Sequence, residues 1–288
     1  MSRTNAASIL VTGAAKGIGE ACVSRLVALG HRVFAGVRRP EDGDALRSRL
    51  GDSVRPVLLD VNDGAMIAAA AAQLQRELGK EGLSGLVNNA GIAIAGPLEF
   101  LPIADLRRQL EINVVGQVAV TQALLPLLRQ GRGRIVFIGS VSGRSALPFT
   151  GAYAASKFAL EAIADAWRVE LLPWRLHVSI VEPGVIRTPI WSTSMATADR
   201  IQAEVPPEAE QYYGTLTAGL RRHAQRAERG EQGLPPDAVA QVVEHALFAA
   251  RPRVRYVVGR DARLRLLIGT LLPTRLRDRV IIRRMKRL

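Results

Sequence analysis

Cysteine, histidine and lysine are scarce in this 288-residue chain. The one cysteine, Cys22, excludes an internal disulfide and makes a reducing, cytoplasmic setting the expectation. The four histidines, His31, His177, His223 and His245, are scattered, so no metal site is expected. No run approaches the ~18 consecutive apolar residues of a membrane span. The opening MSRTNAASILVTGAAKG has only SILV before a Thr-Gly turn, and no signal peptide is expected. Of 39 Lys plus Arg, only four are lysine. One of these, Lys157, follows Tyr153 by four residues in GAYAASKFAL.

Hydrophobic content of 48% and charged content of 23% are ordinary for a soluble globular protein. The length allows a substantial core. The net charge of +13 is uneven: residues 251–288 hold 13 basic and 2 acidic side chains, a net of +11, which leaves +2 for the rest. A near-neutral body with a basic tail argues against nucleic-acid binding.

Apolar runs of strand length alternate with helical patterns. SILVTG, HRVFAGV, RPVLLDV, LSGLVNNAG, GRIVFIGS, RLHVSIVEPG and VRYVVG read as strands. Helices are expected over 17–30, about 63–78, 102–129 and 151–172. The strands lack polar alternation, so both sheet faces are buried. The α/β fold class follows: a single-domain, Rossmann-type doubly wound parallel sheet with helices on both faces. Residues 188–236 break the rhythm just after a strand end and read as a helical substrate cap. In the basic amphipathic tail, 260–288, Pro273 should separate two short helices. Its Leu and Arg faces suit packing on the body or on a second subunit, or peripheral contact with an anionic membrane.

VTGAAKGIG joins the first strand to the first helix. Gly13, Gly17 and Gly19 let the backbone approach a pyrophosphate at the helix N-terminus, with Ala15, Lys16 and Ile18 completing the loop. NAD sites often carry an acid at the second strand's tip. Here that place is Val37, followed by Arg38 and Arg39, which suit a 2′-phosphate. NADP(H) is therefore expected over NAD(H), with Lys16 adding charge and Glu41 and Asp42 too far along to substitute. Asp60 and Val61, after the third strand, are candidates for the adenine.

These residues resemble the short-chain dehydrogenase/reductase family. The matches are TGAAKGIG at 12–19, NNAG at 88–91, Asn113 in EINVVG, Ser140 in IGSVSG, YAASK at 153–157 and EPGVIRTP at 182–189. They cover about residues 5–190, with thirteen residues from Ser140 to Tyr153. The resemblance implies an NAD(P)-dependent alcohol–ketone oxidoreductase. The VFAGVRR segment and the long cap look like the branch holding 17β-hydroxysteroid and retinol dehydrogenases. Asn113 would hold a water behind Lys157. Asn89, Ala90 and Gly91 would wall the nicotinamide side. Pro183, Gly184, Ile186 and Thr188 would meet its carboxamide and a phosphate. Family habit implies a homodimer or homotetramer through the 102–129 and 151–172 helices.

Tyr153 serves as proton donor or acceptor if its pKa falls from about 10 toward working pH. Lys157, one turn on, supplies a compact ammonium that favours tyrosinate and reaches ribose hydroxyls. Ser140 steadies charge on the substrate oxygen. Ile190, Trp191, Met195, Tyr212 and Tyr213 in the cap, with Val141, Leu147, Pro148 and Phe149, favour a hydrophobic steroid-, retinoid- or lipid-like carbonyl or alcohol. No Arg or Lys is placed to hold an anionic substrate. The competing class is a non-catalytic NADP(H) sensor or scaffold on the same fold.

Overall fold

The computed structural model describes residues 6–287, with side chains to Arg283. Seven parallel strands form one sheet in the order β3-β2-β1-β4-β5-β6-β7. They are β1 Ser8–Thr12, β2 Arg32–Val37, β3 Val54–Leu58, β4 Gly85–Asn88, β5 Arg134–Ile138, β6 His177–Pro183 and β7 Arg255–Val258. Every expected strand is present. The third stops at Leu58, three residues before Val61. Pro56 lies within β3 and is tolerated because β3 is an edge strand. Strand order reverses between β1 and β4, which pair Val11 with Val87. Crevices at such reversals are where ligands bind in open α/β sheets.

Two apolar layers sandwich the sheet. One joins β1 and β2 to α1 (Gly17–Ala28), α2 (Pro40–Leu50) and α9 (Asp237–Phe248) through Val23, Leu26, Leu46, Val239 and Val243. The other packs α3 (Gly64–Leu78), α5 (Gly116–Gly131) and α6 (Gly151–Glu170) through Leu74, Leu124, Leu128 and Leu160. The helix expected over 102–129 is continuous but not uniform. It comprises α4 (Ile103–Leu110), a π-helical turn over Glu111–Val115, then α5. Within Ile103–Gly131 an 18-residue window reaches a mean hydropathy of 1.3, long and apolar enough for a span by composition alone, but its Val120, Leu124, Leu127 and Leu128 pack on the sheet.

The 188–236 segment forms α7 (Ile190–Glu204) and α8 (Glu208–Glu228). The tail forms α10 (Arg260–Leu271) and α11 (Thr274–Arg287), parted at Pro273 as expected. α10 packs on β7 and α11 on α8. Leu264, Ile268, Val280 and Ile281 face the same cleft as the cap helices, so the tail is part of the cleft wall.

Candidate active site

One cleft of about 1600 Å³ runs along the carboxyl ends of the strands. That exceeds the roughly 300–1,000 Å³ of a single small-molecule site. All the predicted catalytic and cofactor-binding residues line it except Gly19 and Asn113, which lie behind its wall.

Gly13 and Gly17 take φ values of +63° and +62°, which side chains rarely adopt. Gly19 is needed for a different reason: a Cβ there would run into the carbonyl of Gly13 and the Asn89 amide. Asn89 Nδ2 braces the loop by donating to the carbonyls of Thr12 (2.9 Å) and Gly13 (3.1 Å). Thr12 Oγ1 accepts the N–H groups of Asn89 (2.9 Å) and Ala90 (3.0 Å). Thr12 thus ties β1 to the turn after β4, a role the motif reading did not give it. Thr188 packs its side chain against Gly17, which brings the turn after β6 onto the loop. The loop backbone and the α1 N-terminus therefore fit a pyrophosphate.

At the far end, Lys16, Arg38 and Arg39 line the cleft together with Asp42. Asp42 is not too far along the chain after all, because α2 turns it back toward the strand tip. Arg39 grips it through Nε–Oδ2 (3.0 Å) and Nη2–Oδ1 (2.8 Å). That hydrogen bond holds the Asp42 carboxyl below the usual range, with help from Lys16 and Arg38. Three cations and one carboxylate leave an excess positive charge. Asp60 also lines the cleft, with Oδ1 accepting the N–H of Asn62 (3.0 Å). Buried Val61 backs against Gly116.

Tyr153 is partly exposed to the cleft on α6, and buried Lys157 lies one turn further. Lys157 Nζ donates to the carbonyl of Ile138 (2.7 Å) and lies 5.7 Å from the Tyr153 ring centre. Burial lowers its pKa to about 8, opposed by the charge of Glu161. Burial raises the Tyr153 pKa, opposed by the Ser140 hydroxyl and the charge of Arg265. In the chain alone desolvation therefore dominates at the phenol, and the expected lowering by Lys157 does not figure among the influences on it. Ser140 Oγ accepts the N–H of Ser142 (3.1 Å), which fixes the serine beside the phenol.

Asn113 sits in the π turn, a distortion frequent at functional sites. Its Nδ2 donates to Ile92 O (2.9 Å) and Ser156 Oγ (3.0 Å), and its Oδ1 accepts Ile92 N–H (2.8 Å). The side chain is thus committed to positioning the segment after Gly91. A water relay through Asn113 would have to use its main-chain carbonyl.

Beneath Lys157 lies an acidic cluster that sequence reasoning missed. Glu161 pairs with Arg255 (3.0 Å), and fully buried Glu182 pairs with Arg144 (3.2 Å). Burial and the neighbouring Glu182 charge raise the Glu161 pKa to about 7. Glu161 stands one turn beyond Lys157 on the same helical face, a spacing that could have flagged it.

After β6, Gly184 abuts the Asp261 carboxylate, which accepts the N–H of Val185 (2.9 Å). Arg187 N–H donates to Leu234 O and Leu234 N–H to Val185 O, bracketing Ile186. The Ile186 carbonyl accepts Trp191 Nε1 (2.8 Å).

The apolar chamber is walled by Ile190, Trp191, Met195, Tyr213, Leu147 and Phe149. Tyr212 is not among them: it points outward and is 65% exposed. Tyr213 meets Phe100 and Phe149 edge-on and donates to Glu99 (2.6 Å). Arg200 of α7 clamps buried Asp105 of α4 at 2.7 and 2.8 Å, fastening the cap. Cations do line the chamber, contrary to expectation: among the described residues these include Arg221 and Arg222 of α8, Arg265 of α10 and Arg277 of α11.

Fold and site together define a nucleotide-dependent oxidoreductase built on a doubly wound sheet. The chain belongs to the short chain dehydrogenase family, whose model matches residues 7–199, in the branch of retinol and hydroxysteroid dehydrogenases. It is 38% identical over 279 residues to retinol dehydrogenase 5 of Mus musculus, covering 96% of this chain and 87% of that protein. It is 34% identical over 284 residues to the NADPH-dependent 3-dehydrocapnine reductase of Ornithobacterium rhinotracheale, covering 97% of each. It is also 34% identical over 278 residues to 17-beta-hydroxysteroid dehydrogenase type 6 of Bos taurus, covering 96% of this chain and 87% of that protein. A short chain dehydrogenase from Burkholderia cenocepacia, solved in complex with NADP, superposes with a TM-score of 0.73 at 26% identity, covering 95% of this chain and 97% of that one. The chain is accordingly an oxidoreductase acting on CH–OH groups of small molecules.

Proposed function

We propose that the chain interconverts a hydrophobic alcohol and its ketone (from a secondary alcohol) or aldehyde (from a primary one) with NADP(H), using Tyr153 as acid and base. The observation that carries this reading is the convergence of Tyr153, Ser140 and Lys157 at the junction of the dinucleotide cleft and the apolar chamber. When bound, the nicotinamide gives or takes the hydride. Tyr153 transfers the proton at the substrate oxygen, Ser140 donates to that oxygen, and Lys157 holds ribose hydroxyls while its charge favours tyrosinate. Gly13, Ala15, Lys16, Gly17, Ile18 and Gly19 cradle the pyrophosphate. Asp60 and Val61 border the adenine; Asn89, Ala90 and Gly91 flank the ribose. Pro183, Gly184, Ile186 and Thr188 hold the carboxamide end. Asn113 positions residue 92, and its carbonyl anchors the water behind Lys157.

Preference for NADP(H) is supported by the positive excess at Lys16, Arg38 and Arg39, and by the NADPH-dependent relative and the NADP-bound neighbour. Residues 188–236 act as the substrate cap within a single domain. Phe158, Val169 and Leu172, exposed on and just beyond α6, support a homo-oligomer through that helix. Leu267, Leu271 and Leu276, exposed on the tail beside arginines, support peripheral membrane contact of a cytoplasmic protein. A panel of ketones and secondary alcohols, followed by nicotinamide absorbance with each cofactor, tests the reading. Turnover of short sugars or hydroxy acids in preference to apolar ketones would overturn the substrate assignment.

A further inference from the structure

α10 begins just after β7, which lies beside β6, with β5 next in the sheet. The helix touches both of the turns that follow those two strands. In its first turn, Asp261 Oδ2 accepts the N–H of Val185 (2.9 Å), and the same carboxylate fills the space where a Cβ on Gly184 would lie. One helical turn on, Arg265 donates from Nε to Ser145 Oγ (3.3 Å) and from Nη2 to Ser142 Oγ (3.4 Å) and the Ser145 carbonyl. Ser142 and Ser145 are buried and belong to the tight turn that opens at Ser140. In that turn the Ser140 carbonyl accepts Gly143 N–H (2.8 Å), the Val141 carbonyl accepts Ser145 N–H (3.1 Å) and Ser140 Oγ accepts Ser142 N–H (3.1 Å). A helical turn rises about 5.4 Å and neighbouring strands lie about 4.8 Å apart, so residues four apart on α10 meet turns on adjacent strands.

We propose that α10 is a strut of the active site, in which Asp261 and Arg265 are positioning residues that set the turn carrying Ser140 against the turn carrying Pro183, Gly184 and Ile186. The inference rests on the oxidoreductase reading above. In that reading the first turn holds the substrate oxygen and the second holds the carboxamide end of the nicotinamide. Their separation therefore fixes the distance over which the hydride passes. A misplacement of about 1 Å at such a centre can cost about 100-fold in rate. The Glu182–Arg144 pair (3.2 Å) joins the same two segments deeper in the fold, so the strut sets their alignment and is not their sole connection. Arginine suits the second tie because its planar fork presents several donors in fixed directions, whereas lysine offers one point charge.

The test measures single-turnover hydride transfer in the full chain with saturating NADPH and the apolar ketone that the wild type reduces fastest. Asp261→Ala and Arg265→Gln should each slow transfer about 10- to 100-fold with NADPH affinity nearly unchanged. The double variant should be no slower than the slower single one, because a strut cut at one end is already cut. Arg263→Gln, on an exposed position of the same helix outside the cleft, is the control and should keep the wild-type rate. Arg265 also acts on the Tyr153 phenol through its charge, and Arg265→Lys separates the two roles. It keeps the charge and loses the fork, so the rate should stay low. If Asp261→Ala or Arg265→Gln does not fold, the joint Ser142→Ala, Ser145→Ala variant carries the test. It removes the hydroxyls that Arg265 holds, keeps every charge, and should slow transfer about tenfold. Wild-type rates in the folded variants, additive losses in the double variant, or full rescue by Arg265→Lys would overturn the inference and leave the oxidoreductase reading intact. No turnover of any ketone or alcohol by the wild type with either cofactor would overturn both.

Discussion

Lys157 Nζ donates to the carbonyl of Ile138 across 2.7 Å, at the end of the strand that carries Ser140. This contact fixes the ammonium between the catalytic helix and the sheet without neutralising it. Lysine suits the place because three rotatable donors let one bond hold the backbone while others turn toward a ribose. Arginine's planar fork does not fit that division.

Burying this ammonium costs stability, with a definite pH window. Its folded pKa of about 8 lies below the ordinary lysine value of 10.5, so the unfolded chain binds more protons between these limits. Stability gains from this group as pH rises from about 8 to 10.5. Glu161 runs the other way: its folded pKa of about 7 lies above 4.5, so its contribution is present below 4.5 and lost as pH rises through 7. Urea midpoints measured against pH should lose the alkaline gain in Lys157→Met and the acid-side decline in Glu161→Gln. Unchanged profiles would show that neither group is desolvated as the geometry implies.

The phosphate-selective end is tested by cofactor ratios. Arg38→Ala and Arg39→Ala should each raise KM for NADPH about tenfold or more and leave NADH nearly unaffected. Asp42→Asn should move the preference further toward NADPH, because Arg39 is released from its carboxylate partner. Selective loss of NADH use in Asp42→Asn, with both arginine variants silent, would instead place a ribose diol on Asp42.

Gly19 needs no unusual backbone angle, so its requirement is purely spatial. Gly19→Ala forces its Cβ against the Gly13 carbonyl and the brace from Asn89. Overpacking of this kind costs about 1–3 kcal/mol, and the displaced loop should lose nucleotide affinity. Fluorescence titration with NADPH checks this; wild-type affinity would remove Gly19 from the loop's essential geometry.

The cap's latch predicts a different kinetic signature. Arg200→Met leaves the Asp105 carboxylate buried without its clamp, which should loosen the cap on α4. KM for the apolar substrate should rise while KM for the cofactor stays put. A rise in cofactor KM alone would disconnect α7 from the chamber.

Strand positions were legible because seven apolar runs without alternation admit little else than a buried parallel sheet. The glycine loop and the Ser140–Tyr153–Lys157 spacing were equally plain. The α2 helix was missed because PEDGDALRSRL buries only Gly43 and Leu46 and shows almost no apolar stripe. Missing α2 also hid Asp42, which that helix turns into the cleft. Tyr212 and Tyr213 are neighbours on one helix, about 100° apart, and only packing tells which faces inward. Arg265 carried no local signal at all. It is one arginine among the many of a basic tail, and only the tertiary placement of α10 brings it beside Tyr153.

Proton transfer by Tyr153 is tested most directly by single-turnover reduction of an apolar ketone in Tyr153→Phe loaded with NADPH. The expected result is a hydride-transfer rate reduced at least about 100-fold with NADPH affinity preserved. A rate close to that of the wild type would contradict the assignment of Tyr153 as the acid and base.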